Sequence, residues 1–560
     1  MARNTPEETP WLQAMLWWQS YRKRHAEELA KLRRWLIGTK APQTHFLTRW
    51  LFLRGLGIIY LIAFVSFYAQ IDGLVSSEGI LPAADYLTAV DNAYDDLAER
   101  TGRGGIVAQR LWRYPTLCWL NSTDAFLYYL AHAGIVAALL LIVGVAPIFS
   151  LVILWASYLS ISTVGQTFLG YQWDTLILEV GFLAIFLAPA CLLPRISRET
   201  RPPIVVIWLY RLLLIRVMFA SGLAKLTSWD ETWWGLTALN FHYETQPIPN
   251  LAAYYVHQLP GWFHSLSVAA MFGCQLLLIL FVFCPRRVRL LPFWGTIFLQ
   301  TLIILTGNYC FFNLLTILIC ILLLDDQAIR AVWRGPLLPD LVAGRARPVW
   351  TQFVRVLCLL ALVAVSIPVG WWQMKTRALG LSLDSPPQTC TKCQSQIEAP
   401  QSGASKIVRL ARPFRTINSY GLFASMTTTR PEIIIEGSDD KITWHAYEFE
   451  WKPGELSARP RQVAPHQPRL DWQMWFEALH LNRNRYPKEW FKRFIGQLQK
   501  GNPKVLAMLR TNPFPDGPPR YLKLSLYNYT FTDKATRAET GDYWERTFIR
   551  PIELEPKRRR

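Results

Sequence analysis

Between Thr48 and Trp371 the chain carries about nine apolar runs, each of about 17–22 residues, the length a helix needs to cross a hydrocarbon core. Spans are expected near 48–69, 124–145, 147–164, 174–193, 204–224, 265–284, 290–306, 309–324 and 352–371. The loops between them alternate. Arg195, Arg198 and Arg201 share one loop, Arg286, Arg287 and Arg289 the next but one, and Arg330, Arg334, Arg345 and Arg347 another. The intervening stretches Gly165–Trp173 and Leu226–His264 contain no Lys or Arg. Cytoplasmic loops of membrane proteins retain basic residues, so the pattern predicts a cytoplasmic N-terminus and places everything after the last span outside.

This patterning decides how the net charge of +19 is read. The arginines mark membrane-flanking loops and meet anionic headgroups, so nucleic acid is not an expected partner. The 25 Trp residues suit membrane interfaces. Residues 1–47 form a basic segment without a cleavable signal, and Trp11–Ile37 reads either as a membrane-surface helix or as a solvated one. The membrane domain is expected over 48–371. A domain over 380–560 follows, with strand patterns at Glu432–Glu436, Ile442–Trp451 and Tyr521–Phe531. Turn chemistry at Gly437–Asp440 and helical patterns at Trp472–Leu481 and Trp490–Leu498 complete it. The expected fold is a polytopic α-helical membrane domain of about nine spans, followed by an extracytoplasmic β-sandwich-like α+β domain.

Charges inside a bilayer need a reason. Arg211 and Arg216 lie within the fifth expected span, and Lys225 ends it. Counted from the outer side at about 1.5 Å per residue, Glu179 is roughly 8 Å deep, His132 roughly 12 Å and Arg216 roughly 13 Å. These depths fit either a buried ion pair that fixes helix register or a ligand or proton site. Glu179, Arg216 and Lys225 are expected to line one outer-half cavity with Asp174, capped by the loop His242–Pro249 with Glu244. His242 and Glu244 lack further ligands at zinc-like spacing, so no metal is expected. Cys390 and Cys393 read as a local disulfide rather than a redox dithiol. Asn121 and Asn528 begin glycosylation sequons.

Several blocks carry a resemblance. Phe52-Leu-Arg-Gly-Leu56, Gly170-Tyr-Gln-Trp-Asp174 with Glu179, Gly222-Leu-Ala-Lys225, Leu236–Asn250, and Gly307-Asn308 with Phe312–Thr316 resemble the lipase maturation factor family. So do Asn418-Ser-Tyr-Gly-Leu-Phe423, Tyr447-Glu-Phe449, Lys452-Pro-Gly454, Arg469–Trp475 and Asn512-Pro-Phe514. The resemblance implies a multi-pass protein of the endoplasmic reticulum membrane, or of the inner membrane in a bacterium. It implies no cofactor, with secreted clients such as lipases and membrane lipids as partners. The outer domain and outer loops such as His242–Asn250 would hold the client. Gly222–Leu226 with Trp229 and Trp234-Gly235 is also similar to vitamin K-dependent γ-glutamyl carboxylase, where Lys225 would occupy the place of a proton acceptor. The stretch Trp173–Gly181 lacks the histidine that family carries. This likeness sustains an alternative: a membrane enzyme acting on a quinone or lipid through Lys225, Glu179 and His132.

Overall fold

The computed structural model of the chain describes residues 18–28, 43–102, 106–194, 199–332, 360 and 410–554. The N-terminal bundle opens with α1 (Phe46–Tyr68), followed by the hairpin α2 (Ala83–Thr101) and α3 (Ile106–Arg113). Next come α4 (Asp124–Val143), α5 (Pro147–Val164), α6 (Gln172–Leu187) and α7 (Ile204–Thr227). Two short helices, α8 (Leu239–Thr245) and α9 (Leu251–His257), lead into α10 (Gly261–Phe272), which continues through a π-helical and a 3-10 turn to Phe283. The bundle ends with α11 (Arg286–Thr306), α12 (Phe312–Ile321) and α13 (Asp326–Val332).

Six of these, α1, α4, α5, α7, α10 with its continuation, and α11, are long and apolar enough to cross a membrane. The pair α12 and α13, bent by 105°, makes a seventh if taken as one span. Two of the nine expected runs form shorter helices. Helix α6 has 16 residues, about 24 Å, short of a bilayer core of about 30 Å. It stops because Pro189 holds Ala188 extended, at ψ 147°. The run expected at 309–324 forms α12, of only 10 residues, and the chain then turns into α13 at Asp326, whose carboxylate accepts the N–H groups of Phe46 and Leu47, each at 2.9 Å. That acid caps the unpaired donors that begin α1. The run expected at 352–371 lies outside the described residues apart from residue 360.

The helix ends separate into two faces. At one face the starts of α1, α11 and α13 meet Arg49, Arg289, Asp325 and Glu199. At the other lie the end of α1, the start of α6, the end of α7 and the turn after α11, and the C-terminal region covers this face.

The C-terminal region contains β1 (Arg430–Ser438), β2 (His445–Ala446), β3 (Glu448–Phe449), α14 (Arg469–Asn482), α15 (Glu489–Gln499), β4 (Leu509–Thr511), β5 (Tyr521–Phe531) and β6 (Trp544–Pro551). Strands β2-β1-β5-β6 form one antiparallel sheet, and β3 pairs with β4 separately. Where the sequence suggests a sandwich, the described strands make a single larger sheet with helices against it. The second strand expected at 442–451 shrinks to two fragments. Asp440 takes the N–H groups of Ile442 and Thr443, both at 2.8 Å, which removes them from any ladder. Those donors hold the Asp440 carboxyl down at about 2. On one face of the sheet Ile433, Ile435, Leu524 and Leu526 join a hydrophobic core continuous with that of the bundle. On the other, Ile434, Tyr529, Phe531 and Trp544 pack on Tyr254 of α9. A strand buried on both faces reads as an unbroken apolar run, as Ile433–Ile435 does.

Candidate functional site

The site is the seam between the bundle and the C-terminal region. Asp174 sits in the first turn of α6, where its Oδ2 accepts the N–H of Tyr171 at 3.3 Å and the helix dipole favours a negative charge. Arg469, at the start of α14, grips it with both guanidinium ends: Nη2 to Oδ1 at 2.9 Å and Nη1 to Oδ2 at 3.1 Å. Tyr158 of α5 donates to Oδ1 at 2.6 Å, and Arg469 also donates to the Phe168 carbonyl at 2.6 Å. Both charged side chains are 0% exposed. A bidentate, fully desolvated pair of this kind is among the stronger polar contacts a protein makes. Just upstream, Ser66 and Gln70 at the end of α1 bind the backbone of Gln467 and Arg469.

Glu179 lies further along α6. Its Oε1 accepts from Arg216 of α7 at 2.5 Å. Its Oε2 accepts from the Asn418 backbone and side chain, both at 3.0 Å, and from the Tyr420 hydroxyl at 2.8 Å. Arg216 in turn donates to the Asn418 carbonyl. The carboxylate is thus fully coordinated by one bundle cation and three donors from the C-terminal region. The remaining space beside Leu183, Leu209, Thr416 and Ile417 is about 10 Å³, enough for at most one water.

The loop Phe241–Asn250 lies under β1 and α14. Arg430 donates to the carbonyls of Glu244 at 2.6 Å and Pro247 at 2.8 Å, and to that of Gln246. It thereby serves acceptors that the end of α8 leaves unpaired. The indole of Trp475 donates to the Thr245 carbonyl at 2.9 Å. Asn308 uses its whole side-chain amide: it donates to the carbonyls of Ile248 and Arg461 and accepts from the N–H groups of Val463 and Ala464. A Cβ at neighbouring Gly307 would lie 2.4 Å from the Tyr309 ring and 2.5 Å from the Gln246 side-chain oxygen, so both would have to shift.

A tautomer follows from this network. Gln246 Nε2 faces two carbonyls, so its Oε1 must accept from Tyr309. The Tyr309 oxygen must then accept from His242 Nε2, 3.1 Å away, and Nε2 carries the proton. Burial pushes His242 down to about 4, so the ring is neutral at neutral pH. Burial also raises the Glu244 carboxyl, which accepts the Phe531 N–H at 3.1 Å.

Lys225 lies at the end of α7 and pairs with no carboxylate among the described residues. Its ammonium reaches the carbonyls of Leu422 at 3.0 Å and Ser221 at 3.2 Å and the Gln275 oxygen at 3.4 Å, with the Trp233 ring 5.3 Å away. Three acceptors match its three donors.

With this geometry in place, the chain can be set beside known proteins. Residues 47–331 match the family described as Lipase maturation factor transmembrane domain, and residues 416–553 match Lipase maturation factor C-terminal domain. The chain is 36% identical to lipase maturation factor 2 of Gallus gallus, over 90% of this chain and 80% of that protein. It is 35% identical to the Homo sapiens lipase maturation factor 2, over 90% of this chain and 82% of that protein. Lipase maturation factor 1 of Mus musculus is 32% identical, over 91% of this chain and 87% of that protein. The chain belongs to the lipase maturation factor family. No solved structure matches it.

In this family member the two matched regions meet through the motif blocks that carry the resemblance: Asp174 with Arg469, Glu179 with Asn418 and Tyr420, Thr245 with Trp475. Asp174, Glu179, Arg216, Lys225, His242 and Glu244 all reach the seam, yet each is engaged by protein groups instead of lining an open chamber. His132 does not join them: it is exposed on α4, its Nδ1 2.8 Å from the Tyr128 carbonyl. The loop His242–Asn250, expected to receive clients, is largely covered, with Thr245, Gln246 and Ile248 each 1% exposed. Asn121 is exposed. Asn528 is half-buried on central strand β5, which pairs with both β1 and β6. Cys390 and Cys393 lie outside the described residues. Sequence reasoning missed Tyr158, Asn308, Asn418, Tyr420, Arg430, Arg469 and Trp475 as seam residues. The available signal was that buried acids in a membrane domain require cations from somewhere.

Proposed function

We propose that this protein is a membrane-held maturation factor that assists folding or assembly of secreted proteins, lipases among them, on the non-cytoplasmic side. The names of its relatives support the role. The observation that carries the mechanism is the seam: the C-terminal region is latched to one face of the bundle, so it is presented at a fixed height and orientation over the membrane. Client contact then belongs to the uncovered surface of that region, where Ile442, Tyr521 and Phe548 are exposed apolar side chains. The loop alternation supports a cytoplasmic N-terminus and an outer C-terminal region, in the endoplasmic reticulum of a eukaryote or the inner membrane of a bacterium.

Deletion of the gene and complementation test the role. Secreted lipase should lose specific activity on deletion, and wild type should restore it. Phe548→Asp with Ile442→Asp should fail to restore it while remaining inserted and folded. Unchanged folding of all exported hydrolases on deletion would end the proposal. Orientation is checked by labelling Arg287→Cys and Trp229→Cys, both exposed positions on opposite faces; labelling of both from one side would refute it.

A further inference from the structure

The face of the bundle opposite the seam carries a charge imbalance. Among the described residues, four arginines, Arg49, Arg211, Arg286 and Arg289, stand against three buried acids, Glu199, Asp325 and Asp326. Each acid is already engaged. Glu199 pairs with Arg49. Asp325 pairs with Arg286, lies 4.0 Å from Arg289, and accepts the Ala328 N–H at 3.0 Å. Asp326 caps α1 through Phe46 and Leu47.

Arg211 has none of them. It is 4% exposed inside spanning helix α7, and among the described residues its shielded Nε and Nη2 find no hydrogen-bond partner. Arg289, Asp325 and His45 lie within electrostatic reach. His45 is 3% exposed and leaves its Nε2 unpartnered too, while its Nδ1 faces the Leu324 carbonyl at 2.9 Å. A guanidinium cannot discharge itself by losing its proton, so burial demands a counter-charge. Arg211 is seven residues into α7, roughly 10 Å from its start, and helical side chains lean back toward the N-terminus. The head group is therefore aimed toward the membrane surface on this face.

We propose that Arg211 is the anchor of a binding site for one phosphate-type oxyanion at the arginine-rich face, with His45 beside it. Two parallel N–H donors on one edge of a guanidinium fit two oxygens of a phosphate group. That group can come from an anionic phospholipid headgroup or from free phosphate. The site is independent of the maturation role and stands or falls separately from it.

Native mass spectrometry of the full chain, released gently from vesicles of phosphatidylcholine with phosphatidate, tests the lipid source. Wild type should retain one phosphatidate per chain at least tenfold over phosphatidylcholine. Arg211→Leu should lose that preference, and Arg211→Lys, which keeps the charge without the fork, should retain part of it. In parallel, inorganic phosphate is added to delipidated protein. A rise in Tm for wild type but not for Arg211→Leu, without retained lipid, assigns the site to the free anion. Neither retention nor a phosphate-dependent shift in wild type overturns the site whether or not the variants fold. In that case Arg211→Leu should also melt higher than wild type, because removing an uncompensated buried charge relieves the fold.

Discussion

The two faces of the helix bundle hold buried charge in different ways. At the arginine-rich face the partners all belong to the bundle: α1, α11 and α13 and the segment before α7 exchange charges and caps among themselves. At the seam, Asp174 and Glu179 take partners 295 and 239 residues further along the chain. The first arrangement is made within the bundle. The second leaves the bundle with unfilled acids until the C-terminal region arrives. Acids that look like a ligand site in a membrane helix are here sockets for another part of the same chain. The cost of an unpaired buried charge is what makes that docking specific.

That contrast can be broken most forcefully at Arg469. Arg469→Leu strands Asp174 in a desolvated place and should cost about 3–5 kcal/mol. Proteolysis should then reach residues 410–470 while the bundle stays inserted. Adding Asp174→Asn should recover a large part of the loss, and a strictly additive double mutant would show that the two do not couple.

Asp471, two residues on, sharpens the comparison because its partners lie within the C-terminal region. It accepts the N–H groups of Trp451 and Lys452 at 2.9 Å, and burial raises its carboxyl to about 6 from an ordinary 3.8. A raised folded-state pKa gives stability that is complete below the unfolded value and lost as pH rises through the folded one. Tm should therefore fall between pH 4 and 6, by the equivalent of about 3 kcal/mol. Asp471→Asn should flatten that slope, and an unchanged slope would contradict the assignment.

Glu179→Gln removes the charge facing Arg216 but keeps an acceptor, so a loss of about 2–3 kcal/mol in unfolding is expected, with the Asn418 segment loosening first. At the opposite face, Asp326→Asn weakens the cap of α1 and should cost about 1–2 kcal/mol without exposing the C-terminal region to protease. Equal loosening of the seam by both variants would erase the distinction between the faces. The smallest effect is expected at Lys225. Its ammonium meets only neutral acceptors, so Lys225→Met should change stability by less than about 1 kcal/mol and leave client maturation intact. Loss of maturation by a folded Lys225→Met protein would restore Lys225 as a functional group.

The parts of this fold legible in the sequence were those fixed locally. Apolar length located α1, α4, α5, α7, α10 and α11, and alternation or helical periodicity located β1, β5, α14 and α15. The shortness of α6 and the partner of Asp326 were not legible from hydropathy, which does not register Pro189 as a stop or Asp326 as the cap of a helix 280 residues earlier. The acids of the seam stood out as costly, but nothing local to Arg469 marked it as the partner of Asp174, since an arginine opening an amphipathic helix is ordinarily solvated. His132 misled because depth along a helix says nothing of which side it faces.

Hydrogen exchange of the full chain in detergent tests the seam most directly, reading the backbone of residues 418–423 and 466–475. Docking through Asp174 and Glu179 predicts protection of both segments comparable to that of α5 and α7, and joint loss of it in Arg469→Leu while the bundle helices stay protected. Exchange of both segments within seconds in wild type, beside a protected β1 and β5, would mean that the C-terminal region folds apart from the bundle, and would contradict the latch.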